Sequence, residues 1–140
     1  MQALWYHEHP SYQGRFAAFS GVDAYPRPVQ QPVPLIVGGH SAPAYRRAVA
    51  YGQGWYGYWL TPEQAAASVA GLAEAARQVP RPGGSGPLEI SVTPRGRMTP
   101  ALAAGFAEAG VDRLVLLAPP AADGVARTIE AGLAAVAGLS

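Results

Sequence analysis

From residue 34 onward the apolar positions alternate between short dense runs and longer stretches with helical spacing, the signature of repeated strand-helix units. Four such units are read in the chain. The first strand is Leu35-Ile36-Val37, which follows the Pro-rich PVQQPVP and stops at Gly38-Gly39. Its helix is expected from Ser41, a good N-cap, with Pro43 tolerated in the first turn and Gly52 as the residue past its end. Ala44, Ala48 and Tyr51 form its inward stripe and leave Arg46 and Arg47 outside. A second strand spans residues 55–60. Thr61-Pro62-Glu63-Gln64 then reads as N-cap, proline at the first helical position and a capping-box glutamine, opening a helix that lasts until Pro80. Val69, Leu72, Ala73 and Ala76 are its expected buried face.

After the loop PRPGGSGP, residues 88–93 predict a third strand, with Leu88, Ile90 and Val92 alternating with Glu89, Ser91 and Thr93. The third helix starts at Thr99-Pro100, shows Leu102, Phe106 and Ala109 on one face, and ends at Gly110. Residues 113–118, RLVLLA, are a continuous apolar run of the kind buried on both faces of a parallel sheet. A fourth helix begins near Asp123 with the stripe Val125, Ile129, Leu133 and Val136. The first 30 residues lack this rhythm. Residues 15–19 and 22–25 read as short extended pieces around Ser20-Gly21, so residues 1–33 are an insertion or lead-in segment and residues 34–140 carry the four units.

Four parallel units with a helix after each fit either an open doubly wound sheet or half of an eight-stranded barrel, and periodicity does not choose between them. No long-period identity repeat supports a solenoid.

Composition narrows the function classes. With 49% hydrophobic and 14% charged residues the chain suits a compact domain. Absence of cysteine removes disulfides, thiolate metal sites and a cysteine nucleophile. The cations are all arginine and the formal net charge is +1, so no basic stripe exists for nucleic acid. No apolar run is long enough to span a membrane, and the start MQALWYHEHP lacks a signal peptide's features, so a cytoplasmic location is expected.

The strongest chemical signal is PLIVGGHSAPAYRRA. Two glycines after a strand let backbone approach a bulky anion, and the N–H groups at the following helix start supply donors and the positive end of a dipole. The same glycines also serve a tight strand-to-helix turn. Neither a P-loop nor GxGxxG spacing is present.

The run YQGRFAAFSGVDAYPRPVQQPVPLIVGGHSAPAYRRAVAYGQGWYGYWLTPEQ resembles the middle-to-late segment of luciferase-like flavin- and coenzyme F420-dependent oxidoreductases, over about residues 4–64. The resemblance implies a (β/α)8 TIM barrel, with residues 35–37, 55–60, 88–93 and 113–118 as its fifth to eighth strands. Met1 then falls in the helix after the fourth strand, and the chain is expected to be the C-terminal half of such an enzyme. It also implies an F420 cofactor, with FMN as the alternative, and monooxygenase-type redox chemistry on a small organic substrate. The implied cofactor phosphate contacts are Val37, Gly38, Gly39, His40 and Ser41, with Tyr56 and Gly57 on the next strand. Relatives carry Asp where this chain has Gln53, which bears on the turn or on a substrate-side contact. The groups that act on the cofactor ring are implied to lie on the first four strands, so no catalytic residue is assigned here.

The other candidates have plainer readings. His7 and His9 lack a third ligand for a metal. On the second strand, alternation places Trp55, Gly57 and Trp59 on one face and Tyr56 and Tyr58 on the other. Tyr58 or Trp59, at the strand's C-terminal end, can touch substrate or cofactor. Arg95 and Arg97 fit a solvated loop or an anion contact, whereas Ser91 and Asp112 have no catalytic partner at a recognisable spacing. A half-barrel would expose two strand edges and an open apolar face, and is expected to self-associate or to pair with an N-terminal half. A non-catalytic remnant that binds a phosphorylated ligand is the rival expectation.

Overall fold

A computed structural model describes residues 1–139. The chain divides into two compact units, Met1–Val33 and Pro34–Ser140.

The first unit holds helix α1 (Gln2–Tyr6) and strands β1 (Tyr12–Gln13) and β2 (Ala18–Phe19), which pair antiparallel. The sequence predicts extended pieces at residues 15–19 and 22–25. Only Ala18 and Phe19 of these join a ladder, because their partner is Tyr12-Gln13, and the Tyr12 and Phe19 rings stack at 5.9 Å. Arg27 organises this unit. Its guanidinium donates to the carbonyls of His7 at 2.6 Å and Glu8 at 2.7 Å, and to Asp23 Oδ1 at 2.6 Å.

The second unit is a parallel sheet of β3 (Ile36–Gly38), β4 (Gly54–Leu60), β5 (Glu89–Pro94) and β6 (Arg113–Leu114), in that order. Helices α2 (Ala42–Tyr51), α3 (Pro62–Gln78), α4 (Pro100–Glu108) and α5 (Ala122–Val136) alternate with the strands. Each helix touches the next, α2 on α3, α3 on α4 and α4 on α5. A doubly wound sheet reverses its strand order and sends helices to both faces. Here strand order follows the sequence without reversal, and consecutive helices pack in one layer, a singly wound parallel α/β arrangement.

Local chemistry explains where the helices start. Ser41, Thr61 and Thr99 are N-caps whose hydroxyls accept from the N–H of Ala44, Gln64 and Leu102. Thr61 and Gln64 close a reciprocal capping box. At the end of α4, Gly110 at φ 82° lets its own N–H reach Ala107 O and lets Val111 N–H reach Phe106 O, a Schellman stop. Gly52, expected in the same role, is instead an extended cap residue at φ −92°.

The core lies between sheet and helices. Trp55 and Leu60 of β4, Ile90 and Val92 of β5, Val49 of α2, Leu72 of α3 and Phe106 of α4 are buried together. Several expected faces are rotated. In α2 the buried side is Ala44, Ala48 and Val49, and Tyr51 is 70% exposed because it lies on the flank of that stripe at the last turn. In α3 the buried residues are Ala65, Ser68, Leu72 and Ala75, not Ala73 and Ala76. A serine fits inside because its hydroxyl donates to Gln64 O at 3.0 Å.

The largest departures are at the C-terminal end. Residues 113–118 were expected as a strand buried on both faces, but only Arg113 and Leu114 join the ladder, at the edge of the sheet, and Leu117 is 55% exposed. A strand with one neighbour and one covered face cannot bury both sides. The α5 stripe is likewise left open, with Val125, Ile129, Leu133 and Val136 exposed, the last three lining an apolar cavity beside Phe106 and Leu114. The helix packs through small residues instead. A Cβ on Gly132 would meet Leu116 and one on Gly124 would meet Pro119, so those glycines permit an approach that larger side chains would block.

The sheet's other face, away from the helices described in this unit, mixes polar and apolar side chains. Tyr56 Oη and Thr93 Oγ1 are 2.6 Å apart, Ser91 donates to Glu89 at 3.1 Å, and Glu89 pairs with Arg113 at 2.9 Å. Exposed Ile36 and Tyr58 lie on this face beside those polar groups, and further exposed apolar side chains sit on α5 and after β6.

One loop residue missed by patterning holds the 80–88 connection. Arg81 donates to the carbonyls of Gly86 and Gly52, both at 2.8 Å, and makes longer contacts to Val49, Ser85 and Pro87. Arg81→Ala is expected to cost about 2 kcal/mol, since hydrogen bonds to a charged donor are worth more than neutral ones. A lower urea midpoint, with faster amide exchange confined to the residues around this loop, is the readout.

No helix among the described residues is long and apolar enough to cross a membrane.

Candidate functional site

Parallel strands bring their C-terminal ends to one edge of the sheet, where the loops entering the helices converge. The Gly38-Gly39-His40-Ser41 segment sits there, between β3 and α2. Gly39 has φ 113°, a conformation open to glycine alone, and a Cβ on it would stand 2.9 Å from the Ala44 Cβ. Gly38 is less demanding, because its Cβ would meet only Tyr56 O at 3.7 Å.

The turn is fastened from below. Trp55 is fully buried, and its indole Nε1 donates to Gly39 O at 2.8 Å, while the His40 ring meets the indole edge-on at 5.7 Å. Tyr45 of α2 packs against the same indole at 5.9 Å. Ser41 turns its hydroxyl inward to cap Ala44 N–H. What remains unengaged is the backbone. Gly39 N–H faces Tyr56 O at the end of the β3–β4 ladder, whereas the N–H groups of His40 and Ser41 find no acceptor among the described residues. They lie at the positive end of the α2 dipole, so the segment is equipped to accept an anion.

Two more of the expected contacts are brought alongside. Register pairs Gly38 with Tyr56 and Val37 with Trp55. Tyr56 therefore shares the mixed face with Gly38, with its hydroxyl committed to Thr93. Val37 and Gly57 lie on the helix-facing side, and a Cβ on Gly57 would strike Trp55 and Leu60. At those two positions only backbone is open to a ligand.

The facing expected along β4 breaks at Trp59. Tyr58 pairs with Thr93 and Leu60 with Pro94, so Trp59 is an extra residue in a bulge, and it holds φ 59°. Leu60 takes the helix-facing place that simple alternation assigns to Trp59, and Trp59 is left 46% exposed. No proline or glycine flags this bulge in the sequence.

Gln53 lies at the opposite end of the strands. Its side-chain Oε1 accepts from Leu35 N–H at 2.7 Å and its own N–H donates to Leu35 O at 2.9 Å. Asp112 repeats the construction, with Oδ2 accepting from Ile90 N–H at 2.7 Å and its N–H donating to Ile90 O at 2.9 Å. Both residues fasten a strand to its neighbour, which places Gln53 in the turn before β4, at the opposite end of the sheet from Gly38-Gly39.

His7 offers its carbonyl to Arg27, and among the described residues no group of three His, Cys, Asp or Glu side chains is placed to hold a metal. Ser91 is committed to Glu89. Arg95 contributes its backbone N–H to Leu60 O at 2.7 Å, and Arg97 lines a separate cavity at the same end of the sheet.

A family model described as luciferase-like monooxygenase matches residues 1–112. Among solved structures the chain is similar to an F420-dependent secondary alcohol dehydrogenase in complex with an F420-acetone adduct, at 14% identity and a TM-score of 0.56. That likeness covers 82% of this chain and 52% of the other, so the chain spans about half the length of that structure. No curated protein matches the sequence.

Proposed function

Because the chain belongs to the luciferase-like monooxygenase family, we propose that it forms the C-terminal half, units five to eight, of a (β/α)8 oxidoreductase barrel and supplies the phosphate site of its cofactor. F420 is the preferred cofactor and FMN the alternative. The observation that carries this reading is the pair of unengaged N–H groups at His40 and Ser41, on a turn that only glycine at position 39 can make. A phosphate seated there would draw on the helix dipole and on backbone donors without needing a lysine, which this chain lacks.

The residues fit the group in a further respect. Trp55 fixes the Gly39 carbonyl toward the core, which leaves the N–H side of the turn for the ligand. His40 is exposed beside it and can donate from its ring, and Tyr56 borders the segment on the mixed face. The bound ring supplies the hydride or oxygen chemistry; this chain binds and orients the phosphate end. Groups acting on the ring belong to the other half of the barrel in this reading.

The sheet has unpaired edges at β3 and β6, and α5 carries an exposed apolar stripe. Those features favour a second reading in which the half-barrel pairs with a copy of itself or with an N-terminal half and binds a phosphorylated ligand without catalysis. Titration of the purified chain with F420 and with FMN, followed by cofactor fluorescence, tests binding. Light scattering on the same samples reads the mass. Saturable quenching supports the phosphate site, and no response at high micromolar protein overturns its working unaided. A well-folded monomer rejects the barrel-requiring architecture.

A further inference from the structure

At the C-terminal ends of β4 and β5 a cavity of about 460 Å³ opens beside Trp59. Its walls are Trp59, Pro94 at the end of β5, Met98 from the β5–α4 connection, and Leu117 and Pro119 from the segment after β6. Two arginines reach it, and they differ. Arg127 is paired with Asp123 at 2.8 Å, whereas the Arg97 guanidinium makes no hydrogen bond or ion pair among the described residues.

The backbone at Trp59, which lines this cavity, is strained. A bulky residue at φ 59° is a rare conformation in a strand, and such strain persists where surrounding structure enforces it and often marks a site of function. Without the bulge, alternation would turn the indole into the helix layer. With it, Leu60 fills the core and the indole becomes a wall of the cavity.

We propose that this cavity is a subsite for a small organic carboxylate with a flat or apolar body. The body lies against the Trp59 indole and the Met98 thioether, and the carboxylate meets the Arg97 guanidinium, whose fork geometry suits two parallel hydrogen bonds. Assignment of that carboxylate as the substrate of the redox reaction rests on the reading above. Its binding does not.

Benzoate is a suitable probe and benzamide its neutral counterpart. In the full chain, the indole N–H resonances report the three tryptophans, and Trp59→Phe identifies which signal belongs to Trp59. Benzoate is expected to shift the Trp59 signal saturably, with benzamide and the Arg97→Gln variant each binding at least about tenfold more weakly. Trp59→Gly is a second control, because glycine accepts φ 59° without strain; it should keep the fold and lose the ligand. Equal binding of benzamide and benzoate, unchanged affinity in Arg97→Gln, or shifts confined to the other tryptophans overturn the subsite. Benzoate binding without any response to F420 or FMN would keep the subsite and remove the cofactor reading. Cofactor binding without a benzoate response would do the reverse.

Discussion

Trp55→Ala is expected to lower the free energy of unfolding by about 3–5 kcal/mol, the range for truncating a large buried aromatic. Trp55 is fully buried, and its ring is enclosed by Tyr45, His40 and the bare backbone of Gly57. With domains typically stable by about 5–15 kcal/mol, the variant should be marginal at best. Urea denaturation checks this, with a lower midpoint at unchanged slope as the expected result. Trp55→Phe separates two roles of the residue. It keeps most of the volume but leaves Gly39 O without its donor, so a smaller loss of about 1–3 kcal/mol is expected. If the indole also aims the phosphate turn, cofactor affinity should fall in Trp55→Phe by more than the drop in stability explains. An unchanged affinity would mean that the Gly39 turn holds its shape without the tether.

Gly39→Val is expected to be nearly as damaging and, on the proposed reading of the Gly39 turn as a phosphate site, to abolish cofactor binding. Backbone at φ 113° costs a branched residue about 1–3 kcal/mol, and a Cβ 2.9 Å from the Ala44 Cβ must also push the start of α2. The informative partner is Gly38→Ala, whose Cβ meets nothing closer than 3.7 Å. That change should alter stability by no more than about 0.5 kcal/mol. The urea midpoint gives the stability of each variant, and cofactor fluorescence gives the affinity. Equal stability of Gly39→Val and the parent chain would refute the strained turn. Loss of binding in Gly38→Ala at unchanged stability would place the ligand against the backbone of β3 itself.

The order of elements was legible because its signals are local. A hydroxyl at Ser41, Thr61 or Thr99 followed by proline at the next or second residue fixes a helix start within one turn, and Gly110 marks a stop the same way. The faces were harder to read. In α3 alanine occupies every side of the helix, so periodicity offers little contrast, and the buried Ser68 counts against the true face until its bond to Gln64 O is seen. In α5 apolar contrast exists and misleads, since Gly124 and Gly132 let the small side approach Pro119 and Leu116. Legibility of the site was similarly divided. The glycine pair carries its own steric requirement, so the Gly38-Gly39 turn stands out. The Trp59 bulge depends on register with β5, and the duties of Arg27 and Arg81 depend on carbonyls brought near by folding. None of these leaves a trace in spacing.

The fastenings at Gln53 and Asp112 sit at the N-terminal ends of β4 and β6, and each ties its strand to an adjacent one through two short bonds. The opposite ends, where the proposed phosphate turn and the Trp59 cavity lie, are tied without any loop side chain, by Trp55 Nε1 to Gly39 O and by Arg95 N–H to Leu60 O. Descent with modification has unequal freedom at these two ends. Loops at the ligand end can lengthen, shorten or exchange side chains while the sheet keeps its alignment, so new specificities can be tried without first re-solving the fold.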